Sequence, residues 1–437
     1  MTAPLAASPR LPALRHRDFR RLWLGQLVST IGSQMQLIAV NWQVYQLLRG
    51  ATLRVDSLGL HLDLSGQALG LGTLGLVRVV PIMLFALLGG VLADTHDRRS
   101  LILRAQQVEF LAALALAGGS LSGHIGFAAL YTLTAVDASA AAFEQPAIDA
   151  LEPMLVPREH LANAVSLATL VWTVGTIAGP ALAGITIGLF PVGVVYAVNA
   201  CSFAVVIAAV ASLHFRDGPR TGGARVDWRT LVDGLKYTRR TPIIWSTMLL
   251  DFWATFFSSA RTMLPIVAGS MLGVGSQGYG LLATAQPLGA VLTGTALSIR
   301  HVIVRQGMVL LAGVVLYGGA TALFGLSTIF ALSYALFFLT GAGDMLSAVI
   351  RANLRQTLTP NELRGRLSSV HMLLAFGGPQ LGEVEAGLAA ALFGVSFSLV
   401  SGGLATVAIT GWVAWRYTPL RRYRAGSGGS DGSRDSG

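Results

Sequence analysis

The chain has 437 residues, 53% of them hydrophobic and only 12% charged, with a mean hydropathy of +0.62. Soluble domains carry about 25% charged residues, so a water-soluble globule is excluded. The apolar runs are also too long for the alternating segments of about 10 residues that build a membrane barrel, and the net charge of +10 points to loop arginines that orient a membrane protein rather than to nucleic acid.

A helix that crosses a hydrocarbon core needs about 20 mostly apolar residues. Taken in order, the chain predicts twelve such spans, near 22–48, 66–93, 101–118, 125–149, 163–188, 192–213, 243–270, 277–299, 305–325, 329–350, 367–392 and 396–415. The fold class is therefore an all-α polytopic membrane protein, with twelve transmembrane helices in two six-helix pseudo-repeats. Residues 1–21 form a cytoplasmic N-tail without the short apolar core and cleavage site of a signal peptide. Residues 22–213 form the N-terminal half, 214–241 a basic cytoplasmic linker, and 242–416 the C-terminal half. Residues 417–437 are a cytoplasmic tail, Gly/Ser/Asp-rich and expected to be disordered from about 425.

The first two spans are joined by a long outer loop, whose Leu58-Gly-Leu-His-Leu-Asp-Leu64 alternation suits a small hairpin. The second and third are joined by a very short turn, Gly90-Val-Leu-Ala-Asp94-Thr-His-Asp97-Arg98-Arg99-Ser-Leu101. In the linker, Asp227 to Tyr237 suits a short amphipathic helix on the membrane surface. With the N-tail inside, all basic residues but Arg49, Arg54, Arg78 and Arg261 fall in inner segments. This alternation is the positive-inside rule, and it puts both termini in the cytoplasm.

A repeat runs through the chain at an offset of 203. Leu155-Val-Pro157-Arg-Glu159 parallels Leu358-Thr-Pro360-Asn-Glu362, and Gly175, Gly179 and Gly184 parallel Gly378, Gly382 and Gly387. Parallel six-helix repeats are a transporter construction. The single cysteine, Cys201, rules out an internal disulfide and a Cys-rich metal site. The single lysine, Lys236, lies outside any Gly-Lys-Ser/Thr phosphate loop. No cofactor or metal is expected. The eight histidines lie in tails, loops or span ends, so no nucleophile–base constellation marks an enzyme.

The short turn resembles the signature of the major facilitator superfamily, Gly-x-Leu-Ala-Asp-Arg-x-Gly-Arg-Arg. Gly90, Leu92, Ala93, Asp94, Arg98 and Arg99 match, with Thr95 and Asp97 departing. In the fifth span, Gly175-Thr-Ile-Ala-Gly179-Pro180-Ala-Leu-Ala-Gly184 is similar to the Gly-x-x-x-Gly-Pro-x-x-Gly-Gly pattern of the superfamily's antiporters, with Ala183 for one glycine. The start, Leu14 to Gln26, resembles the branch that contains enterobactin exporters and macrolide efflux proteins. The resemblance covers about residues 14 to 424.

It implies that Gly90, Asp94, Arg98 and Arg99 form a cytoplasmic conformational latch, and that Asp94 meets the start of the eleventh helix. It also implies that helices 1, 4, 7 and 10 line a cavity while 3, 6, 9 and 12 are scaffold. Ionisable groups at membrane depth are costly and functional by default; here they are Arg78, Glu109, Asp137, Glu144, Asp251, Arg261, Asp344, Glu383 and Glu385. A carboxylate in a dry cavity can hold a proton near neutral pH and release it once the cavity opens to water. Asp137 and Asp344, then Asp251, Glu383 and Glu144, are the coupling candidates. Glu109 alone falls on a scaffold span. The fourth-helix arginine common in proton antiporters of the superfamily is absent. Gln26, Thr30, Ser33, Gln34 and Asn41 make a polar stripe on the first span. With Trp253, Phe256, Phe257 and Arg261 on the seventh they are the cavity candidates, suited to a mid-sized amphiphilic organic molecule.

The expectation is a monomeric secondary transporter of the inner membrane that exports a small organic compound against protons. An importer coupled to protons and a non-transporting sensor or enzyme are the alternatives. Its partners are the substrate, protons and the lipid bilayer.

Overall fold

A computed structural model describes residues 11–57, 60–214, 235–299, 303–360 and 363–424. The long helices, in order, are α1 (Arg17–Leu47), α2 (Gly66–Thr95), α3 (Arg98–Leu121), α4 (Phe127–Leu151), α5 (Leu161–Leu189) and α6 (Gly193–Ala211), then α7 (Pro242–Phe257), α8 (Gly275–Ile299), α9 (Gln306–Phe324), α10 (Phe330–Leu358), α11 (Arg364–Phe393) and α12 (Val395–Arg416). A short α13 (Thr418–Arg422) follows. Among the described residues, eight of these helices are long and apolar enough to cross a bilayer. The other four long helices are α1, α4, α7 and α11, which carry most of the polar residues singled out above.

The outer loop is a hairpin. Strand β1 (Thr52–Ser57) pairs antiparallel with β2 (Leu60–Ser65), and Thr52 faces Ser65. The leucine alternation foretold β2, whereas β1 carries Arg54 and Asp56 and gave a weaker signal. Arg54 pairs with Asp63 at 3.2 Å, an exposed contact worth little. In the linker, residues 235–240 are helical. The rest of the expected surface helix, and the tail from 425, lie outside the described residues.

By packing, the chain divides into two units: Met1–Leu47 with Val77–Arg225, and Leu48–Leu76 with Val226–Gly437. Residues 48–76 therefore pack with the second unit, although their place in the sequence put them in the 22–213 half. The reason is local. Gly72 of α2 meets Gly387 of α11 so closely that a Cβ on Gly72 would lie 2.7 Å from the Gly387 Cα.

In the first unit α1 packs along α5 and α6, and α3 along α4 and α6. Phe19, Leu22, Ile102, Leu151, Phe203 and Val206 form the core beneath. The last carbonyls of a helix have no partner within it and favour cations. At the end of α6, Arg99 of α3 donates to the carbonyls of Val210 (3.1 Å) and Ala211, and Arg21 of α1 donates to Ser212 (2.6 Å). Three helices are tied at one point by backbone chemistry.

In the second unit α10 packs on α8 and α9, α9 on α12, and α11 on α7 and α12. The expected continuous seventh span is broken. After Phe257 the chain passes through a 3-10 turn (Ala260–Met263), a short α turn (Leu264–Ile266) and a π turn (Val267–Met271). Pro265 has no N–H to give the carbonyl of Arg261, which weakens an α-helix at this point and fits the break seen here. In a bilayer the groups freed at such a break need protein partners. The Tyr317 hydroxyl donates to the Ser258 carbonyl at 3.1 Å, and the Ser258 and Thr406 hydroxyls bond at 2.8 Å. Tyr317→Phe leaves that carbonyl unpaired, and is expected to lower stability by about 1–3 kcal/mol. Thermal unfolding in detergent measures it, with Tyr334→Phe as a control outside the break.

Candidate functional site

The short turn caps helices. Asp97 is the N-cap of α3 and accepts from the Ser100 N–H at 2.8 Å. Arg98 donates to the Ala93 carbonyl (3.2 Å) and reaches Met154 Sδ (2.7 Å), while Arg99 caps α6. Neither guanidinium binds Asp94, which has no hydrogen bond or ion pair among the described residues. Gly90 faces open space. Sequence reasoning let the arginines hold the acid, but the free carbonyls at the helix ends take them instead. Just past α4, burial and neighbouring Asp149 push the Glu152 carboxyl up to about 7.

The glycine motif of α5 lies on α1. A Cβ on Gly175 would stand 2.6 Å from Thr30 Cγ2, and one on Gly179 would overlap Gln34 and crowd the Ile31 carbonyl. The matching residues of α11 do the same to α7: Gly378 meets Thr255 Oγ1 at 2.6 Å, and Gly382 meets the carbonyls of Thr255 and Phe256. Small residues allow this approach between helices. Pro180 and Gly184 are buried on α5. Thr30 and Gln34 are thus spent on a helix seam, which separates them from Gln26, Ser33 and Asn41.

The first unit holds a buried polar network. Glu144 of α4 accepts from Gln106 Nε2 of α3, and Glu109, also on α3, is buried with its Oε2 unbonded among the described residues. Gln26 Nε2 is likewise buried and unbonded among them. One face along, Gln36 Nε2 donates to Asp137 Oδ1 (3.2 Å), and Asn199 Nδ2 donates to Gln36 Oε1 (3.0 Å). Arg78 donates to Asn41 Oδ1 at 3.0 Å. Sequence reasoning missed Gln36 and Gln106 and set Glu109 aside as scaffold. The i, i+3 spacing of Gln106 and Glu109, which puts both on one face of the helix, was the available signal.

The second unit centres on an arginine that the sequence reading assigned to a loop. Arg351 Nη2 lies 2.8 Å from Asp251 Oδ1 of α7 and 3.6 Å from Asp344 Oδ1 on its own helix, and Nη1 donates to Ser347 Oγ at 2.8 Å. The side chains of Arg351 and Asp251 are 7% and 11% exposed, that of Asp344 44%. Arg355 reaches His371 Nδ1 at 3.1 Å. Helix α10 continues past the predicted end at 350, and Asp344, Ser347, Arg351 and Arg355 then form one stripe at steps of three and four. That spacing was legible in the sequence. Arg261, one of the cavity candidates, is exposed and unpaired among the described residues. Phe252, Trp253, Phe256 and Phe257 stack along half-buried α7 with ring centroids 4.9–6.0 Å apart. Glu383 sits on the α2–α11 seam, where its Oε2 would lie 2.6 Å from a Cβ on Gly75.

Buried carboxylates, a shared arginine and membrane-length helices mark a multi-pass membrane protein, and its family and relatives make it a transporter rather than an enzyme. A solved bacterial homologue of the iron transporter ferroportin shares the fold, with TM-score 0.70 and 18% identity over 92% of this chain and 98% of that one. A bacterial homologue of the human lysosomal transporter Spinster does so with TM-score 0.66 and 13% identity over 95% and 97%. The chain belongs to the transmembrane secretion effector family of the major facilitator superfamily, whose model matches residues 7–426. It is 27% identical to an enterobactin exporter of Citrobacter koseri over 412 residues, 94% of each chain.

Two outcomes follow. Arg351→Gln leaves two carboxylates without their cation and should lower stability by about 3–5 kcal/mol; adding Asp251→Asn should restore part of it, read by thermal unfolding of the single and double variants. Glu152 has a folded-state pKa above its ordinary 4.5, so its stabilising contribution is complete below that value and lost as pH rises to about 7. Glu152→Gln should match the parent near pH 4 and exceed it by about 1–2 kcal/mol above pH 7, after allowance for partial exposure.

Proposed function

We propose that this protein exports a small organic molecule across the inner membrane in exchange for protons. In this reading α1 to α12 cross the bilayer as two six-helix repeats with both termini in the cytoplasm, and the halves alternate in their access to a central cavity. The arginine distribution supports the orientation. The equivalent packing of Gly175 and Gly179 on α1 and of Gly378 and Gly382 on α7 supports the repeat. Likeness to an enterobactin exporter supports outward transport of an organic substrate of that size class.

One observation carries the coupling: Arg351 is shared by Asp251 and Asp344. Arg351 holds Asp251 at 2.8 Å but Asp344 only at 3.6 Å, so Asp344 is the less firmly neutralised acid and the easier to protonate. Asp344, the more exposed of the two and the more distant from Arg351, is the exchanging group, and Asp251 holds the arginine. The Glu109–Glu144 pair and Asp137 form a second proton-holding set. The aromatic ladder of Trp253, Phe256 and Phe257 offers an apolar wall for the substrate, with Gln26, Ser33 and Arg261 as polar contacts. Asp94 acts in conformational switching.

The test uses everted membrane vesicles with an acidic interior and labelled enterobactin as first substrate, followed by a macrolide. Accumulation should depend on the pH gradient and collapse with a proton ionophore. Asp344→Asn should remove the gradient-driven part while substrate-for-substrate exchange persists. Accumulation that ignores the gradient, or an Asp344→Asn variant that still responds to it, defeats the proposal. Accumulation only with an alkaline interior would make the protein an importer.

A further inference from the structure

A cavity lies where α13 meets the start of α9. Its volume is about 660 Å³, and it is lined by Arg305, Met308, Arg421, Arg422, Tyr423 and Arg424. Four of the six residues carry a guanidinium and none is acidic. In the sequence, no Asp or Glu occurs between Asp251 and Asp344, nor between Glu385 and Asp431.

Arginines at a chain end are ordinarily a loose, solvated anchor. These are fixed. Helix α13 is docked on the start of α9 through Leu420, which is fully buried among Leu310, Leu311 and Val413. The docking depends on Gly307, where a Cβ would overlap the Leu420 carbonyl. The Gly307 N–H donates to the Tyr423 carbonyl at 3.4 Å, and Tyr423 packs against the same core. The backbone that carries Arg421 and Arg422 is thereby held beside Arg305. All three side chains are exposed and hydrated, but their clustering around one concavity focuses a positive field that favours an anion.

The depth of the cavity selects the anion's source. The preceding helix ends with Trp412 and Trp415, 50% and 74% exposed, and tryptophans so placed mark the membrane–water interface. Met308, in the cavity wall, is 50% exposed, and neighbouring Val304 is 58% exposed, so apolar surface adjoins the arginines. A basic pocket with an apolar lip at that level fits a phosphate that carries acyl chains. We propose that this cavity binds the headgroup of an anionic phospholipid, with the phosphate held by Arg305, Arg421 and Arg422, and that the bound lipid clamps α13 to α9.

The probe is phosphatidylglycerol or cardiolipin, titrated against purified full-length protein in neutral detergent and followed by native mass spectrometry and thermal shift. Phosphatidylcholine serves as the neutral lipid and pyrophosphate as the free anion. The parent should retain anionic lipid and gain thermal stability from it, with little response to phosphatidylcholine. Arg305→Gln/Arg421→Gln/Arg422→Gln should bind anionic lipid at least about tenfold more weakly, since each arginine near a charged bilayer contributes to attraction. Arg239→Gln/Arg240→Gln, in the linker, should bind as the parent does. Equal binding by the cavity variant and the parent overturns the proposal, as does equal binding of anionic and neutral lipid by the parent alone. Stabilisation by pyrophosphate that matches the lipid's would make it a soluble-anion site and also overturn it.

Discussion

Arg351 is a single cation set between two carboxylates, in a place where water does not dissolve the difference. Asp251 is close and nearly closed off, while Asp344 is farther away and open. Burial makes each charge expensive, so the arginine is needed for the helices to pack at all, and yet it satisfies one partner better than the other. The same group that joins α7 to α10 therefore holds Asp251 firmly and Asp344 loosely. In the first unit amides rather than a cation meet the buried acids: Gln106 donates to Glu144 and Gln36 to Asp137.

Backbone satisfaction is the second constraint, and it explains what several charged or polar side chains are doing. The break after α7 exposes a carbonyl that Tyr317 takes up, and the end of α6 exposes three that Arg21 and Arg99 take up. In a soluble protein water would serve these groups. Here a side chain from another helix must, and each such bond also fixes a helix–helix geometry. Arg99 is thus a structural fastener between α3 and α6.

The spans were legible because apolar runs of membrane length have few alternatives, and the hairpin because leucine alternated in a loop. Both were signals of periodicity. Arg351 was missed because a charge was taken as the end of an apolar run, although Asp344, Ser347 and Arg351 keep helical spacing. The broken α7 was missed because Ser258, Ser259 and Pro265 are each tolerated within longer helices, and only Tyr317 and Thr406, distant in sequence, make the break affordable. The placing of 48–76 with the second unit was illegible for a similar reason: it depends on Gly72 meeting Gly387, more than three hundred positions away. Glu109 was discounted by a helix's expected role, when its own burial was the better guide.

Helix α2 belongs to both packing groups. Its first eleven residues, Gly66 to Leu76, go with one and the remainder with the other. Pro81 lies just past the division, inside the helix. With no N–H of its own, it leaves the carbonyl of Val77 without an intrahelical partner, at the first residue of the second part. The helix is thus weakest in its own hydrogen bonding where its allegiance changes. That one turn of α2 lacks a bond the rest of the helix has, and it lies between Gly72, which packs on Gly387, and Gly89, which packs on Ala142 and Phe143.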